Sequence, residues 1–343
     1  MKVKIKDFLK QKNEFQLIDV RNFQDFSKAH IEGSINATID DIPLIADKKI
    51  LIVASEDIES EYDVLEGGYK AYELNRIDSS ITKKFRRELW SKFTKAISEY
   101  ELIKENDVIA VCISGGKDSM LMAKLFNELH KHTKVPFELR YIVMDPGYLK
   151  ENRQLIVENA TKMDIPIEIF DTKIFDSVVN LDRSPCYICA RMRRGYLYNY
   201  AKQIGCNKIA LGHHFDDVIE TTLMSMLWGG QIETMLPKLY SENFEGMELI
   251  RPLYLIREEN IIKWRDYNKL KFLQCACKFT QQSSINENTS KRLETRKLIK
   301  ELKKTNDQIE MNIFRSMENV QLKNVLGYKK DDIYHYFLED YDK

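Results

Sequence analysis

An apolar run, Val108-Ile-Ala-Val-Cys-Ile113, empties directly into Ser114-Gly-Gly-Lys-Asp-Ser119 and then into a helix-forming stretch, Met120-Leu-Met-Ala-Lys-Leu-Phe126. Few folds accommodate that order. A buried strand must end in a tight turn whose glycines allow close backbone approach. A helix must then begin with its free amide N–H groups and partial positive charge turned towards the same point. The product is an anion cradle. Lys117 adds a mobile cation, and Ser114 and Ser119 add hydroxyls. The spacing differs from the GxxxxGK[ST] loop of common nucleoside triphosphatases. A plain strand–helix turn is the bland alternative, but it has no use for the charged pair Lys117-Asp118.

From Val108 onward, strand and helix signals alternate. Strands are expected at about 108–113, 139–144, 167–170, 208–211 and 249–251, with helices at about 117–132, 151–164, 187–204 and 215–227. This order predicts an α/β fold, a doubly wound parallel sheet with helices on both faces. Ligands of such sheets bind at the carboxyl ends of strands, where Ser114, Met144, Asp145 and Gly212-His-His-Phe-Asp-Asp217 fall. Asp216 and Asp217 equally suit the first turn of a helix, and His213 suits a hydrogen-bonded turn. The first 75 or so residues carry a smaller α/β pattern of their own. In it Gln16–Arg21 and Lys49–Val53 read as strands, and Gly67–Leu74 reads as the lead into a third. Residues 76–105 read as a linker and then a basic amphipathic helix, Lys83–Lys95, whose Lys83, Arg86, Arg87 and Lys95 suit a surface or an RNA. The charged tail from about 285 reads as a solvated helical cap. The expected units are therefore 1–78, 79–106 (linker and basic helix), 107–284 and 285–343.

Basic and acidic side chains balance at 53 each, so net charge argues neither for nor against a nucleic-acid partner. Residues 1–80 hold 11 basic and 16 acidic side chains, which leaves the remainder positive. No run of about 18 apolar residues is long enough to span a bilayer, and no basic-plus-apolar leader opens the chain, so a cytoplasmic location without membrane contact is expected. The six cysteines are then thiols or metal ligands rather than disulfides. Cys112 sits in a strand and Cys206 at a helix end, positions for small buried residues. Cys186-Tyr-Ile-Cys189 and Cys275-Ala-Cys277 are the pairs that suit a metal. Their spacing alone favours an iron–sulfur site over zinc, and uncoordinated thiols stay open. Arg191, Arg193 and Arg194 follow the first pair, where they suit an RNA backbone or offset thiolate charge.

Two resemblances sharpen these expectations. The stretch LIDVRNFQDFSKAHIEGSINA resembles the opening of rhodanese sulfurtransferase domains, over about 75 residues. That family carries its persulfide on a cysteine just after the strand that here ends at Val53. This chain has Ala54-Ser55-Glu56-Asp57 there and no cysteine before Cys112. Without a thiolate there is no persulfide carrier, so the resemblance implies a degenerate rhodanese-like domain kept for docking or stability.

SGGKDS in turn looks like the PP-loop of ATP pyrophosphatases. The ordered set of SGGKDS, Cys186-x-x-Cys-x-Arg-x-Arg-Arg-Gly195, Gly212-His-His-x-Asp-Asp217, Trp228-Gly-Gly230, Pro237-Lys-Leu239 and Ile250-Arg-Pro252 resembles the tRNA 2-thiocytidine synthetase (TtcA) family, over about residues 84–330. The resemblance implies that Ser114, Gly115, Gly116, Lys117, Asp118 and Ser119 hold the ATP phosphates that leave as pyrophosphate. It implies that Gly212 and His213 line the nucleotide, that Met144 offers backbone groups to adenine, and that Asp217, with Asp118 or Asp216, binds Mg²⁺. Lys117, Asp118 and Asp217 would then carry the chemistry. It further implies a [4Fe–4S] cluster on Cys186, Cys189 and Cys275 whose open iron holds the incoming sulfur. Cys277 is the alternative third ligand, because the family's usual PCxxC is replaced here by Gln274-Cys-Ala-Cys277. The implied partners are tRNA and an external sulfur donor such as a cysteine desulfurase or free sulfide, with a homodimer as a further expectation. The implied reaction adenylates the C2 oxygen of a pyrimidine, a cytidine in the family, and then inserts sulfur. The rivals are another PP-loop tRNA modifier, including a lysidine synthetase that needs no cluster, and a zinc-stabilised RNA-binding protein with a vestigial ATP site.

Overall fold

The computed structural model describes residues 1–40, 42, 48–172, 174, 185–273, 291–339 and 341, and of 185–191 the backbone alone. The N-terminal sheet contains β1 (Lys2–Val3), β2 (Phe15–Asp19), β3 (Ser34–Asn36), β4 (Lys49–Val53) and β5 (Asp63–Leu65). Their order is β1-β5-β4-β2-β3, and every pairing is parallel. α1 (Ile5–Lys10), α2 (Phe23–Lys28) and α3 (Gly68–Ser79) belong to this unit. Phe8 and Tyr69 pack against Leu17, Leu51, Val53 and Leu65 on one face of the sheet. Gly67–Leu74 therefore does not lead into a strand. The third expected strand lies just before it, at Asp63–Leu65, and Gly68–Ser79 is helical because Tyr69 and Tyr72, three residues apart, share the face that meets Phe8.

The stretch expected to start as a linker is also helical. Beyond α3 the chain makes two π-type turns, Ser80–Lys84 and Arg86–Trp90, and then enters α4 (Ser91–Glu99). The Phe85 amide bonds the Ser80 carbonyl, five residues back, at 2.8 Å. The cause lies in the spacing. Ile77, Ile81, Phe85, Leu89 and Phe93 recur every four residues, whereas an α-helix turns every 3.6, so a straight α-helix would rotate this row off the core. Wider turns keep it in line. Ile77, Ile81, Leu89 and Phe93 are fully buried in the main core, and so the helix bolts the N-terminal unit to the larger one.

The second sheet contains β6 (Val108–Ile113), β7 (Glu138–Asp145), β8 (Ile167–Asp171), β9 (Lys208–Ala210), β10 (Lys238–Tyr240) and β11 (Glu248–Ile250). Its order is β10-β11-β9-β6-β7-β8, and all pairings are parallel except that of the edge strand β10. Around it lie α5 (Lys117–His132), α6 (Lys150–Lys162), α7 (Pro185–Gln203), α8 (Phe215–Gly229), α9 (Glu258–Tyr267), α10 (Lys291–Thr305) and α11 (Ile309–Ser316). Alternate residues of β6 face opposite layers, as a strand requires. Ile109, Val111 and Ile113 meet Met120, Leu121 and Phe126 of α5, while Ala110 and Cys112 meet Tyr198 and Ala201 of α7. The fold is thus a doubly wound α/β sheet, with helices on both faces. Cys112 and Cys206 are both buried in the second layer, as expected of them, and burial pushes both thiols up.

The chain runs outward from β6 through β7 to β8, then returns to β9 on the other side. The crevice between the ends of β6 and β9 is therefore the topological switch point, where such sheets bind ligands. The tail differs from a solvated helical cap. Ile299 of α10 and Phe314 of α11 pack with Phe215, Val218 and Ile219 of α8, and the Phe215 and Phe314 rings stack at 4.8 Å. Beyond them the chain forms a hairpin, β12 (Gly327–Lys330) with β13 (Ile333–Tyr336). Among the described residues no helix is long and apolar enough to cross a membrane.

Candidate active site

β6 delivers Ser114-Gly-Gly to the switch point, and α5 begins immediately at Lys117. The turn is held by its own serines. The Ser114 amide donates to Ser119 Oγ at 3.1 Å, the two hydroxyls lie 3.1 Å apart, and Ser119 Oγ donates to the Gly116 carbonyl at 3.0 Å. Gly115 has φ +83°. A Cβ there would also lie 2.7 Å from Ile156 and 2.9 Å from Leu273. Gly115→Ala is therefore expected to lower the melting temperature and to weaken ATP binding at least about tenfold, as read by calorimetry and nucleotide titration. From the β9 side, Gly212 lies against the start of α5. A Cβ on it would come within 3.1 Å of the Ser119 nitrogen and 3.2 Å of the Asp118 carbonyl carbon. The two strand ends meet backbone to backbone.

Lys117 Nζ bonds Asp118 Oδ2 at 3.1 Å and Glu258 Oε1, at the start of α9, at 2.8 Å. Burial disfavours its charge, but the two carboxylates outweigh burial and hold its pKa above the ordinary lysine value. Asp118 goes the other way. Burial lifts its carboxyl above the usual range although His214 and Lys117 pull it down. Its second oxygen, Oδ1, is buried and has no hydrogen-bond partner among the described residues. Such an orphaned oxygen costs about 1–3 kcal/mol unless a ligand meets it.

His214 is buried at the N-terminus of α8, and its amide donates to Asp217 Oδ2 at 3.0 Å. Burial disfavours the Asp217 charge, yet His214 and Arg292 hold this carboxyl below its ordinary range. Asp217 Oδ1 accepts from Arg292 Nη1 at 2.9 Å. Asp216 accepts from the Glu258 amide at 2.7 Å and faces Arg257 at 3.3 Å. Both aspartates thus stand in the first turn of α8, where they complement its dipole, and Asp216 also meets the amide that starts α9.

His213 Nδ1 and Arg251 Nε are likewise buried without partners among the described residues. Burial and the nearby Arg251 push His213 down to about 4. Its folded pKa lies below the ordinary histidine value of 6.5, so the stability it confers is complete above about pH 6.5 and is lost as pH falls towards about 4. Subtracting the stability–pH curve of His213→Asn from that of the parent should leave this slope, and parallel curves would contradict the assignment.

Met144 lies at the end of β7, buried against Ile174. The β6–β7 register stops at Ile113↔Val143, one residue before it. Asp145 turns instead to structure, accepting from the Gly147 and Tyr148 amides and from Arg153 at 2.7–2.8 Å. Cys186 and Cys189 are the second and fifth residues of α7, and their side chains lie outside the described residues, as does that of Arg191. Arg193 donates to the Tyr148 hydroxyl at 3.3 Å, and that hydroxyl donates to the Ser114 carbonyl at 3.5 Å. Cys275 and Cys277 also lie outside the described residues. Leu273, two residues before Cys275, donates its amide to the Gly115 carbonyl at 3.1 Å. Among the described residues no group of three or more His, Cys, Asp or Glu is arranged to hold a metal ion.

Sequence reading missed Glu258, Glu220, Arg292 and Arg296. The two arginines, one turn apart on α10, reach the acids of α8 and α9. Arg296 lies 2.6 Å from Glu220 and 3.7 Å from Glu258, and Arg292 lies 3.9 Å from Glu220. Their spacing of four within a charged tail was the available signal.

The loop after β4 in the N-terminal unit is closed on itself. The Ala54 carbonyl accepts from the Tyr69 amide at 2.7 Å, Asp57 accepts from the Gly67 amide at 2.8 Å, and Glu56 pairs with Lys70 at 3.2 Å. The start of α3, which is suited to an anion, is filled by the chain's own oxygens.

A glycine-rich anion cradle at the switch point of a parallel sheet, rimmed by a lysine and paired aspartates, defines a nucleotide-binding protein of the PP-loop class. The PP-loop domain family matches residues 85–288, and the rhodanese-like domain family matches residues 4–147. The tRNA-cytidine(32) 2-sulfurtransferase of Geobacter metallireducens is 31% identical over 249 residues, 72% of this chain and 95% of that protein. That of Vibrio parahaemolyticus is 34% identical over 248 residues, 71% of this chain and 79% of that protein. The chain belongs to the PP-loop family and, within it, to the tRNA-cytidine(32) 2-sulfurtransferase family. The same fold occurs in the U34-tRNA thiolase NcsA from Methanococcus maripaludis with its [4Fe-4S] cluster. The TM-score is 0.54 and the identity 24%, over 77% of this chain and 84% of that one.

Proposed function

We propose that the protein is an ATP-dependent tRNA sulfurtransferase that replaces the C2 oxygen of a cytidine with sulfur. The observation that carries this reading is the intact cradle at the switch point, with Lys117 held at its rim by Glu258 and with Asp118 Oδ1 buried beside it without a hydrogen-bond partner among the described residues. The amides of the Ser114–Ser119 turn and the start of α5 bind the β- and γ-phosphates. Lys117 exchanges Glu258 for a phosphate oxygen and stabilises charge as pyrophosphate leaves. Gly212 and His213 line the nucleotide, and Met144 presents backbone to adenine. Asp118 Oδ1 is a hard oxygen donor without a hydrogen-bond partner among the described residues, so the site fits Mg²⁺, with Asp217 as the second carboxylate once it turns from Arg292. A bound Mg²⁺ supplies charge neutralisation on the phosphates.

The reaction balances in two displacements. The C2 oxygen of the base attacks the α-phosphorus of ATP, and the bond to the β-phosphate breaks to release pyrophosphate. Sulfide then forms the C2–S bond, and AMP departs with the original oxygen. Neutral His213 is suited to the second step as an acceptor of hydrogen bonds rather than a repelling cation.

Cys186 and Cys189 are the second and fifth residues of α7, three apart near the positive end of the helix, which favours thiolates. Cys275 follows Leu273, which is tied to the cradle. This donor set fits a [4Fe–4S] cluster on Cys186, Cys189 and Cys275, with Cys277 as alternative, and the cluster supplies a place to hold sulfide. The N-terminal unit, 1–78, has no thiol, so sulfur comes from a separate donor, a cysteine desulfurase or free sulfide. Residues 107–284 carry the chemistry, with 285–343 as a helical extension whose α10 and α11 pack against α8. The protein works in the cytoplasm, and tRNA anticodon loops offer the single-stranded cytidine the site requires.

Pyrophosphate release tests this reading. It should depend on both ATP and unmodified tRNA, and tRNA-independent hydrolysis as its sole activity would contradict the proposal.

A further inference from the structure

We propose that the junction between the N-terminal unit and the PP-loop unit is a docking site for the phosphate backbone of the RNA substrate. The inference rests on the reading of the substrate as tRNA. A cavity of about 300 Å³ opens where α3, the first π-type turn and the end of α9 meet. Arg76, Lys83 and Lys84 line it together with Asn75, Tyr72 and Tyr267, and no carboxylate among the described residues does. In a chain with equal numbers of acids and bases, that segregation needs a cause.

The surrounding surface extends it. Residues 79–95 hold six cations and a single acid, Glu88. Lys83, Lys84, Arg86 and Arg87 are exposed, and none forms an ion pair among the described residues. Nearby acids are already engaged: Asp78 with Lys124 at 2.6 Å, and Glu73 with Lys162 at 2.9 Å and with Arg76 at 3.8 Å, which leaves Lys83 and Lys84 as the unpaired cations of the cavity among the described residues. The Arg76 Nε is buried without a partner among the described residues. Lys84 lies 4.6 Å from the centre of the Tyr267 ring, so the cation is steadied by an aromatic face rather than neutralised. The wide turns that hold Ile81 and Leu89 in the core are what push Lys83, Lys84, Arg86 and Arg87 outward together.

The cavity is also at the right distance. α9 begins at Glu258, which holds Lys117, and ends at Tyr267, which lines the cavity. Nine residues of helix rise about 14 Å. A strand whose base reaches the cradle can therefore set a phosphate in the cavity a few nucleotides away. Cations with flat aromatic neighbours are the usual makings of a groove that tracks a single-stranded backbone.

The test is binding of an unmodified tRNA transcript to the full chain, by fluorescence anisotropy across a salt series, for the parent and for Lys83→Glu/Lys84→Glu. Both side chains are exposed, and ATP titration checks that the fold and the cradle persist. The expected result is a loss of affinity on the order of tenfold or more at 0.1 M salt. The slope of log K against log salt should also shrink by about one for each lost contact, with ATP affinity unchanged. If the double variant loses ATP binding, Lys83→Gln/Lys84→Gln replaces it with the same expectation at reduced size. Unchanged tRNA affinity and slope in the variant would overturn the docking site and leave the function standing. A parent protein that binds no tRNA would overturn both.

Discussion

Lys117→Ala should slow tRNA-dependent pyrophosphate release by about 10²–10³, the usual effect of removing one donor to developing charge. The geometry makes the loss twofold in origin. Lys117 is the cation within reach of the phosphate cradle, held 2.8 Å from Glu258 and 3.1 Å from Asp118. Its removal also leaves those carboxylates facing each other. Asp118, already raised by burial, would then take up a proton more readily and serve Mg²⁺ less well. Lys117→Arg should rescue little, because a planar fork does not replace a point charge in a space sized for an ammonium. The fold should survive, since the pair is partly exposed and such pairs contribute little to stability. Stopped-flow pyrophosphate release together with thermal unfolding checks both parts. Release within twofold of the parent would sink Lys117 as the phosphate ligand.

Cys186→Ala and Cys189→Ala should each abolish tRNA thiolation while sparing ATP-dependent pyrophosphate release. Two cysteines three residues apart on one helix would hold the proposed cluster jointly, so losing either removes about half of what that helix contributes and opens the iron to solvent. Anaerobic protein should lose its visible absorbance and its iron, and thiolated nucleoside should fall by at least about 10³. Cys112→Ala and Cys206→Ala are the controls. Both thiols are buried among apolar residues on the second face of the sheet, a setting suited to packing rather than to ligation. Those variants should keep iron and activity while losing some stability. Of the remaining pair, Cys275→Ala should behave like Cys186→Ala and Cys277→Ala like the controls.

How much of this was written in the sequence depends on how local each feature is. The cradle was legible because strand, turn, lysine and helix start lie within some twenty consecutive residues, and each constrains the next. The alternation that followed gave the parallel sheet and placed Gly212–Asp217 at the same edge as Ser114. The residues that complete the site were not legible. Glu258 reaches Lys117 across 141 positions and Arg292 reaches Asp217 across 75, and no local pattern encodes a pairing at that distance. The segment after α3 was misread for another reason. The basic stretch Lys83–Lys95 has the spacing of an ordinary amphipathic helix, whereas the four-residue row from Ile77 to Phe93, which only wider turns keep on one face, extends the helix back through the expected linker. In the tail, charge concealed Ile299 and Phe314, which the core recruits through α8.

The silence of the N-terminal unit follows from both sources. Its sequence lacks the thiol, and its structure fills the start of α3 with the Ala54 carbonyl and the Asp57 carboxylate. On the proposed reading, sulfur enters at the switch-point site, and ATP held at Ser114–Ser119 activates the base that receives it. The most direct measurement is mass analysis of nucleosides from unmodified tRNA incubated with anaerobically reconstituted protein, ATP, Mg²⁺ and sulfide. The account predicts a cytidine made heavier by the difference between sulfur and oxygen, with one pyrophosphate released per base changed. Unaltered cytidine, or a cytidine carrying an added amine in place of the oxygen, would contradict it.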